Sequence, residues 1–145
     1  MGLLHKVLDL TPAERRFLII AWLWLGFFRV ALWLLPFQMV NRLMGRMSRN
    51  MNKRPGVGPE AAGQIAAAIR RASRLVPRAT CLPQALAALA MFKRLGLPAD
   101  LHIGVAKDEE GRFQAHAWVG CQGAPVVGSS ATEYTPLWTW ESDKI

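Results

Sequence analysis

The fold class is decided by a change of hydrophobic period at residues 101–121, which read LHIGVAKDEEGRFQAHAWVGC. Apolar residues alternate with polar or small ones from Leu101 to Ala106 and again from Phe113 to Cys121. This period of two predicts a pair of half-buried strands. The polar run Asp108–Gly111 predicts the turn between them, and Ala124–Gly128 predicts a short third strand. The C-terminal part is therefore expected to be an antiparallel meander.

The first predicted helix has clear signals at both ends. Thr11-Pro12-Ala13-Glu14 is a capping box, with a hydroxyl at the N-cap, proline at N1 and a glutamate at N3. The almost wholly apolar run Phe17–Leu35 follows, and Pro36 is expected to end or kink the helix. A basic amphipathic stretch, Phe37–Met47, comes next, and the glycines and prolines of residues 50–59 predict a loop.

Two shorter helices are predicted before the strands. Helical spacing resumes at Glu60 and stops at Pro77, and a second helix follows Thr80 as N-cap and ends near Gly96. Their predicted buried positions are Ile65, Ile69, Ala72 and Val76 in the first, and Leu82, Ala85, Leu86, Leu89 and Phe92 in the second. Helices followed by an antiparallel sheet predict an α+β domain.

Length and composition exclude several classes of protein. The chain has 145 residues, of which 52% are hydrophobic and 19% charged, too apolar for a disordered chain. We expect one compact domain overall, with a hydrophobic basic helical region at residues 1–58 and a catalytic core at residues 59–145. Two cysteines are too few for a disulfide scaffold and lack zinc-type spacing. The first sixteen residues lack the order of a signal peptide, so a cytoplasmic protein is expected.

The net charge of +8 is concentrated in one part of the chain. No acidic residue lies between Glu14 and Glu60, where eight basic residues surround the apolar run. Three arrangements of that helix stay open: a transmembrane span, which Arg29 disfavours, an interfacial helix, or a helix covered by the domain or by a partner protein. If the helix is interfacial, residues 15–54 are expected to contact the inner face of the membrane. Nucleic acid is not an expected partner, because the basic residues flank an apolar helix.

Cys81 is the first candidate for chemistry. It would be the first helical residue after Thr80, where free N–H groups and the helix dipole favour a thiolate. His116 is the natural partner, because a thiol nucleophile needs a base that titrates near neutral pH. Its strand face, opposite Ala115 and Ala117, would then point at the start of the Cys81 helix. The alternatives are a cysteine buried as a small hydrophobe and a histidine that only packs.

Cys121 is predicted to be a core thiol, because it shares a strand face with Val119 and not with His116. A metal site made of Cys81, His116 and a third ligand is disfavoured, and no cofactor is expected.

Several sequence blocks resemble one enzyme family. They are CLPQALA (81–87), RLGLPA (94–99) with LHIGV (101–105), and AHAWV (115–119). They resemble the leader peptidase of bacterial lasso-peptide biosynthesis, the stand-alone cysteine-peptidase half of the split B protein, which has a transglutaminase- and papain-like core. YTPL (134–137) and the tryptophan-rich basic helix resemble it too, so the resemblance covers roughly residues 11–137.

The resemblance implies an activity and a set of partners. The activity is hydrolysis of a peptide bond that removes the leader from a ribosomally made precursor, with Cys81 as the nucleophile and His116 as the general base and then acid. The implied partners are the leader region of the precursor, a separate leader-recognition protein and the lasso cyclase. Acyl transfer through the same thioester stays open, because the two reactions differ only in what attacks that intermediate.

One position departs from the family pattern. The family typically has an aspartate about a dozen residues after the histidine, and this chain has Gly128 there. Either Cys81 and His116 act as a dyad, or Ser129, Ser130, Glu133 or a backbone carbonyl orients the ring. The departure also motivates the alternative of a non-catalytic scaffold that binds the precursor, the cyclase or a membrane.

Overall fold

Helices precede strands along the chain, as the change of period predicts. The computed structural model describes residues 5–6, 8–50, 60–76, 80–121, 124–128 and 134–140. Within these residues the elements are α1 (Pro12–Leu34), α2 (Phe37–Asn50), α3 (Glu60–Ser73), α4 (Cys81–Arg94), β1 (Asp100–Lys107), β2 (Phe113–Cys121), β3 (Ala124–Val127) and β4 (Thr135–Trp140). The predicted loop after Asn50 lies outside the described residues, apart from Asn50 itself. The α+β class is confirmed.

Both ends of α1 form as predicted. The Thr11 N–H donates to Glu14 Oε2 at 2.8 Å, and the Glu14 N–H donates to Thr11 Oγ1 at 3.3 Å, which completes the capping box. Pro36 forces the preceding residue out of the helical region, and Leu35 is extended at φ −121° and ψ 145°. The chain then re-enters a helix at Phe37.

One hydrophobic core joins the helices to one face of the sheet. The buried side chains of α1 include Leu25 and Phe28, and α1 packs against both α3 and α4. The predicted core positions of α3 and α4 are buried or packed against this core. On the sheet, the same core contains Leu101, Ala117 and Val119, and α4 packs against β2.

The sheet is antiparallel throughout, with strand order β3-β2-β1-β4. The three predicted strands are present, and the turn at Asp108 is closed by Asp108 Oδ1, which accepts from the Arg112 N–H at 2.8 Å. β4 was not predicted. It pairs with β1 at the far edge of the sheet, where Pro136 is tolerated because an edge strand needs fewer N–H donors.

Candidate active site

Cys81 is the first residue of α4, half-buried and packed against the core. Thr80 is the N-cap residue as predicted, but its side chain makes no capping hydrogen bond. Pro83 has no N–H, and the Gln84 N–H points back to the Thr80 carbonyl oxygen at 3.4 Å. The first turn of α4 therefore offers the N–H groups of Cys81 and Leu82, at the positive end of the helix dipole, to an anion.

The imidazole of His116 is held by a backbone carbonyl. His116 lies on β2, half-buried, and its Nε2 hydrogen-bonds the carbonyl oxygen of Gly128. A carbonyl oxygen can only accept, so the proton of the neutral ring is on Nε2. Nδ1 then has the free lone pair, and it is the nitrogen that can take a proton from a thiol.

Gly128 is suited to this contact by its backbone conformation. Its φ is +78°, a region that residues with a Cβ rarely adopt. A Cβ at this position would lie 2.8 Å from the Ala117 carbonyl oxygen and 3.3 Å from Trp118 Cα. The residue that replaces the expected aspartate thus approaches β2 more closely than any side chain would permit, and its backbone oxygen supplies the acceptor. Of the other candidates for this role, Ser129, Ser130 and Glu133 lie outside the described residues.

Aromatic rings line the face of the sheet around His116. The Tyr134 ring stacks on the imidazole with centroids 4.8 Å apart, and Trp118 stacks beside it at 6.1 Å. Trp118 also stacks on His102 at 5.4 Å. A Cβ on Gly104 would come within 2.9 Å of the Trp118 ring, so the missing side chain leaves room for the indole to lie across β1. These contacts restrict the orientations open to the imidazole.

The face of β2 that carries Ala117 and Val119 turns toward the helices. Ala117 and Val119 are buried in the core that α4 shares, so His116 lies on the alternate face. The body of α4 thus packs against the Ala117 face, and the expectation that the opposite face points at the start of α4 stays a prediction. Among the described residues no hydrogen bond joins Cys81 to His116. The pairing of Cys81 with His116 stays a prediction, because catalytic hydrogen bonds are often long until substrate binds.

Among the described residues, β3 pairs with only part of the β2 edge near His116. β3 pairs with β2 only from Val119 to Cys121 and ends at Val127. Gly128 then turns toward His116, and both α3 and α4 contact β3 at this edge of the sheet.

Cys121 has the properties of a structural thiol. It is half-buried and packed against the core on the strand face away from His116. Burial, with a smaller contribution from the negative charge of Asp100, raises the pKa of the Cys121 thiol. Within the described ranges, no group of three His, Cys, Asp or Glu residues could hold a metal ion.

A pocket of about 230 Å³ lies between the start of α1 and the end of α4. Its lining includes Phe17, Ile20 and Met91, with Arg16 and Arg94 among its polar residues. Met91 is ten residues after the first residue of α4, about 15 Å along the helix axis from the thiol. The pocket is therefore separate from the candidate active site.

Two contributors to this site could not be assigned from the sequence. A backbone carbonyl was one of several candidates for orienting the ring, but a backbone oxygen such as that of Gly128 leaves no trace in the residue type. Tyr134 was noted only within the YTPL block, and its contact with His116 depends on β4 pairing with β1. The single tyrosine of the chain was the available signal.

Comparison with known proteins identifies the fold family. A sequence model of the transglutaminase-like superfamily matches residues 22–139 of the 145. Neither a curated protein nor a solved structure matches the chain. The superfamily includes cysteine peptidases, and its fold commonly carries cysteine-peptidase or acyltransferase activity. By the extent of this match, the chain belongs to the transglutaminase-like superfamily.

Proposed function

We propose that this protein is a cysteine peptidase that removes the leader from a ribosomally made lasso precursor peptide. The observation that carries the proposal is the hydrogen bond from His116 Nε2–H to the Gly128 carbonyl oxygen. It selects the tautomer with a basic Nδ1, which is what a histidine partner of a thiol nucleophile requires. The superfamily match and the resemblance of residues 81–87 and 115–119 to lasso leader peptidases support the same function.

The proposed reaction begins with transfer of the Cys81 thiol proton to His116 Nδ1. The thiolate attacks the carbonyl carbon of the scissile bond, and the N–H groups of Cys81 and Leu82 stabilise the oxyanion of the tetrahedral intermediate. His116 Nδ1–H protonates the departing amine as the C–N bond breaks, which leaves the leader as a thioester on Cys81. Water, deprotonated by His116, then hydrolyses the thioester and frees the thiol.

The hydrogen-bond arrangement supports catalysis without a side-chain carboxylate. The Gly128 carbonyl can orient the neutral ring and can still accept from the imidazolium that forms, since Nε2 keeps its proton throughout. Stacking by Tyr134 and Trp118 restricts rotation of the ring. The role that the family gives to an aspartate is thus divided between a backbone oxygen and two aromatic rings.

The test is co-expression with a lasso precursor and mass spectrometry of the peptide products. Cys81→Ala and His116→Ala should each abolish the appearance of leader and core fragments. Cys121→Ala and His102→Ala are matched controls, because each removes the same side chain elsewhere and should leave cleavage intact. Retained cleavage in Cys81→Ala or His116→Ala would contradict the assignment, as would an equal loss in all four variants.

The proposed partners are tested in the same assay. A recognition protein that binds the leader should be needed for efficient processing of the full-length precursor, and the cyclase should close the freed core. Leaving out the recognition protein should sharply slow cleavage. Efficient cleavage by this chain alone would contradict the requirement for a separate recognition protein.

A further inference from the structure

Helix α1 has a second apolar face that the described part of the chain leaves uncovered. Its members are large and exposed, and we call them the α1 outer face: Ile19, Trp22, Leu23, Phe27, Val30, Trp33 and Leu34. Ile19, Leu23, Phe27, Val30 and Leu34 follow one another at spacings of three and four residues, which places them along one side of the helix. The stripe is about 22 Å long and contains no charged residue.

We propose that the α1 outer face binds the surface of an anionic lipid bilayer, with the helix axis parallel to the membrane plane. This inference goes beyond the proposed peptidase activity and does not depend on it. It would place the enzyme, as a peripheral protein, where its apolar stripe contacts acyl chains and its basic residues contact lipid headgroups.

The orientation follows from the opposite side of the same helix. α1 is long and apolar enough to cross a bilayer. However, Leu25 and Phe28 are fully buried in the core, and α1 packs against α3 and α4 along that side. Crossing the membrane would require α1 to leave this core. Lying in the interface buries the outer face and leaves the packed side unchanged.

Charge favours lipid over an apolar protein partner. Arg15 and Arg16 lie one turn before Ile19, on the outer-face side of α1, and Arg42 and Arg46 are exposed on α2. Among the described residues none of these four arginines forms an ion pair. With no acidic residue between Glu14 and Glu60, this segment complements an anionic surface. Tryptophans within the face are also suited to a lipid–water interface.

The experiment is flotation of the full-length protein with vesicles of phosphatidylcholine alone or mixed with phosphatidylglycerol. The face variant is Ile19→Ser/Leu23→Ser/Trp33→Ser, at side chains 58%, 56% and 83% exposed, so the fold should persist by circular dichroism. The control, Phe113→Ser/Leu137→Ser, removes apolar side chains 73% and 68% exposed from the sheet.

We expect the wild-type protein to bind the vesicles that contain phosphatidylglycerol. This binding should fall more than about tenfold in the face variant and should be unchanged in the control. Arg15→Gln/Arg16→Gln should weaken binding, as should added salt. Equal binding of the face variant, or equal binding to both kinds of vesicle, would overturn the proposal. Resistance of the bound protein to alkaline carbonate extraction would also overturn it, because that result indicates a transmembrane span. So would a dimer in solution that does not bind vesicles and that the face variant dissociates.

Discussion

Gly128→Ala is the substitution that most directly tests how the imidazole is held. The added Cβ would lie 2.8 Å from the Ala117 carbonyl oxygen, closer than real Cβ contacts, and φ is +78°. The Ala117 backbone cannot move freely, because it is paired with Ile103 of β1 and its side chain is buried in the core. Residue 128 must therefore shift, and we expect its carbonyl oxygen to move away from His116 Nε2.

The expected loss in the free energy of unfolding can be separated into two parts by comparison with a second glycine, Gly111. Gly111 also has a positive φ, +80°, but no atom lies within 4 Å of an added Cβ. Gly111→Ala should therefore show backbone strain alone, about 1 kcal/mol. Gly128→Ala adds the steric contact and a weakened hydrogen bond, for a total loss of about 3 kcal/mol. The corresponding falls in Tm are about 4 °C and about 12 °C.

Activity should separate the two variants further. We expect leader cleavage to be about 10²-fold slower in Gly128→Ala, because the imidazole loses its orientation. The cleavage rate is measured by mass spectrometry at a temperature below the Tm of both variants. Gly111→Ala should cleave at the wild-type rate. Gly128→Asp should do no better than Gly128→Ala, although it restores the carboxylate of the family pattern, because its Cβ meets the same atoms. Equal stability and equal activity of the two alanine variants would refute this account of the site.

Three other measurements follow from the structure. A thiol-reactive probe at neutral pH should modify Cys81 quickly and Cys121 slowly, because burial raises the pKa of the Cys121 thiol; equal slow labelling would favour a scaffold. Tyr134→Ala should slow cleavage about tenfold by loosening the imidazole, whereas Tyr134→Phe, which keeps the stacked ring, should match wild type. Thr11→Ala should cost about 1 kcal/mol in urea unfolding at pH 7. The Thr11 N–H and, after it, the Thr11 hydroxyl lower the pKa of Glu14 by donating to its carboxylate, so the stability that this carboxylate contributes is complete above pH 4.5 and is lost as pH falls through the lowered value. A stability difference between wild type and Glu14→Gln that is the same at pH 3 as at pH 7 would contradict it.

Features that depend on neighbouring residues were predictable from the sequence. The start of α1 needs only the hydroxyl of Thr11 and the carboxylate of Glu14 three residues later, and its end needs only Pro36. The change of period after Pro98 separates helices from strands, since side chains repeat every 3.6 residues in one and every two in the other. Cys81 could likewise be placed at a helix start from Thr80 and Pro83.

Features that depend on distant backbone groups came only from the tertiary structure. β4 pairs with β1 at a sequence separation of thirty or more residues, and Pro136 argues against a strand when only the local sequence is considered. The face of β2 that meets α4 is set by packing, because a strand has two faces and alternation alone does not say which one the helices cover. The acceptor for His116 is the Gly128 carbonyl, a group that every residue has. Residue types specify helices, strands and a cysteine at a helix start here, whereas the orientation of the His116 imidazole depends on where the chain returns in space.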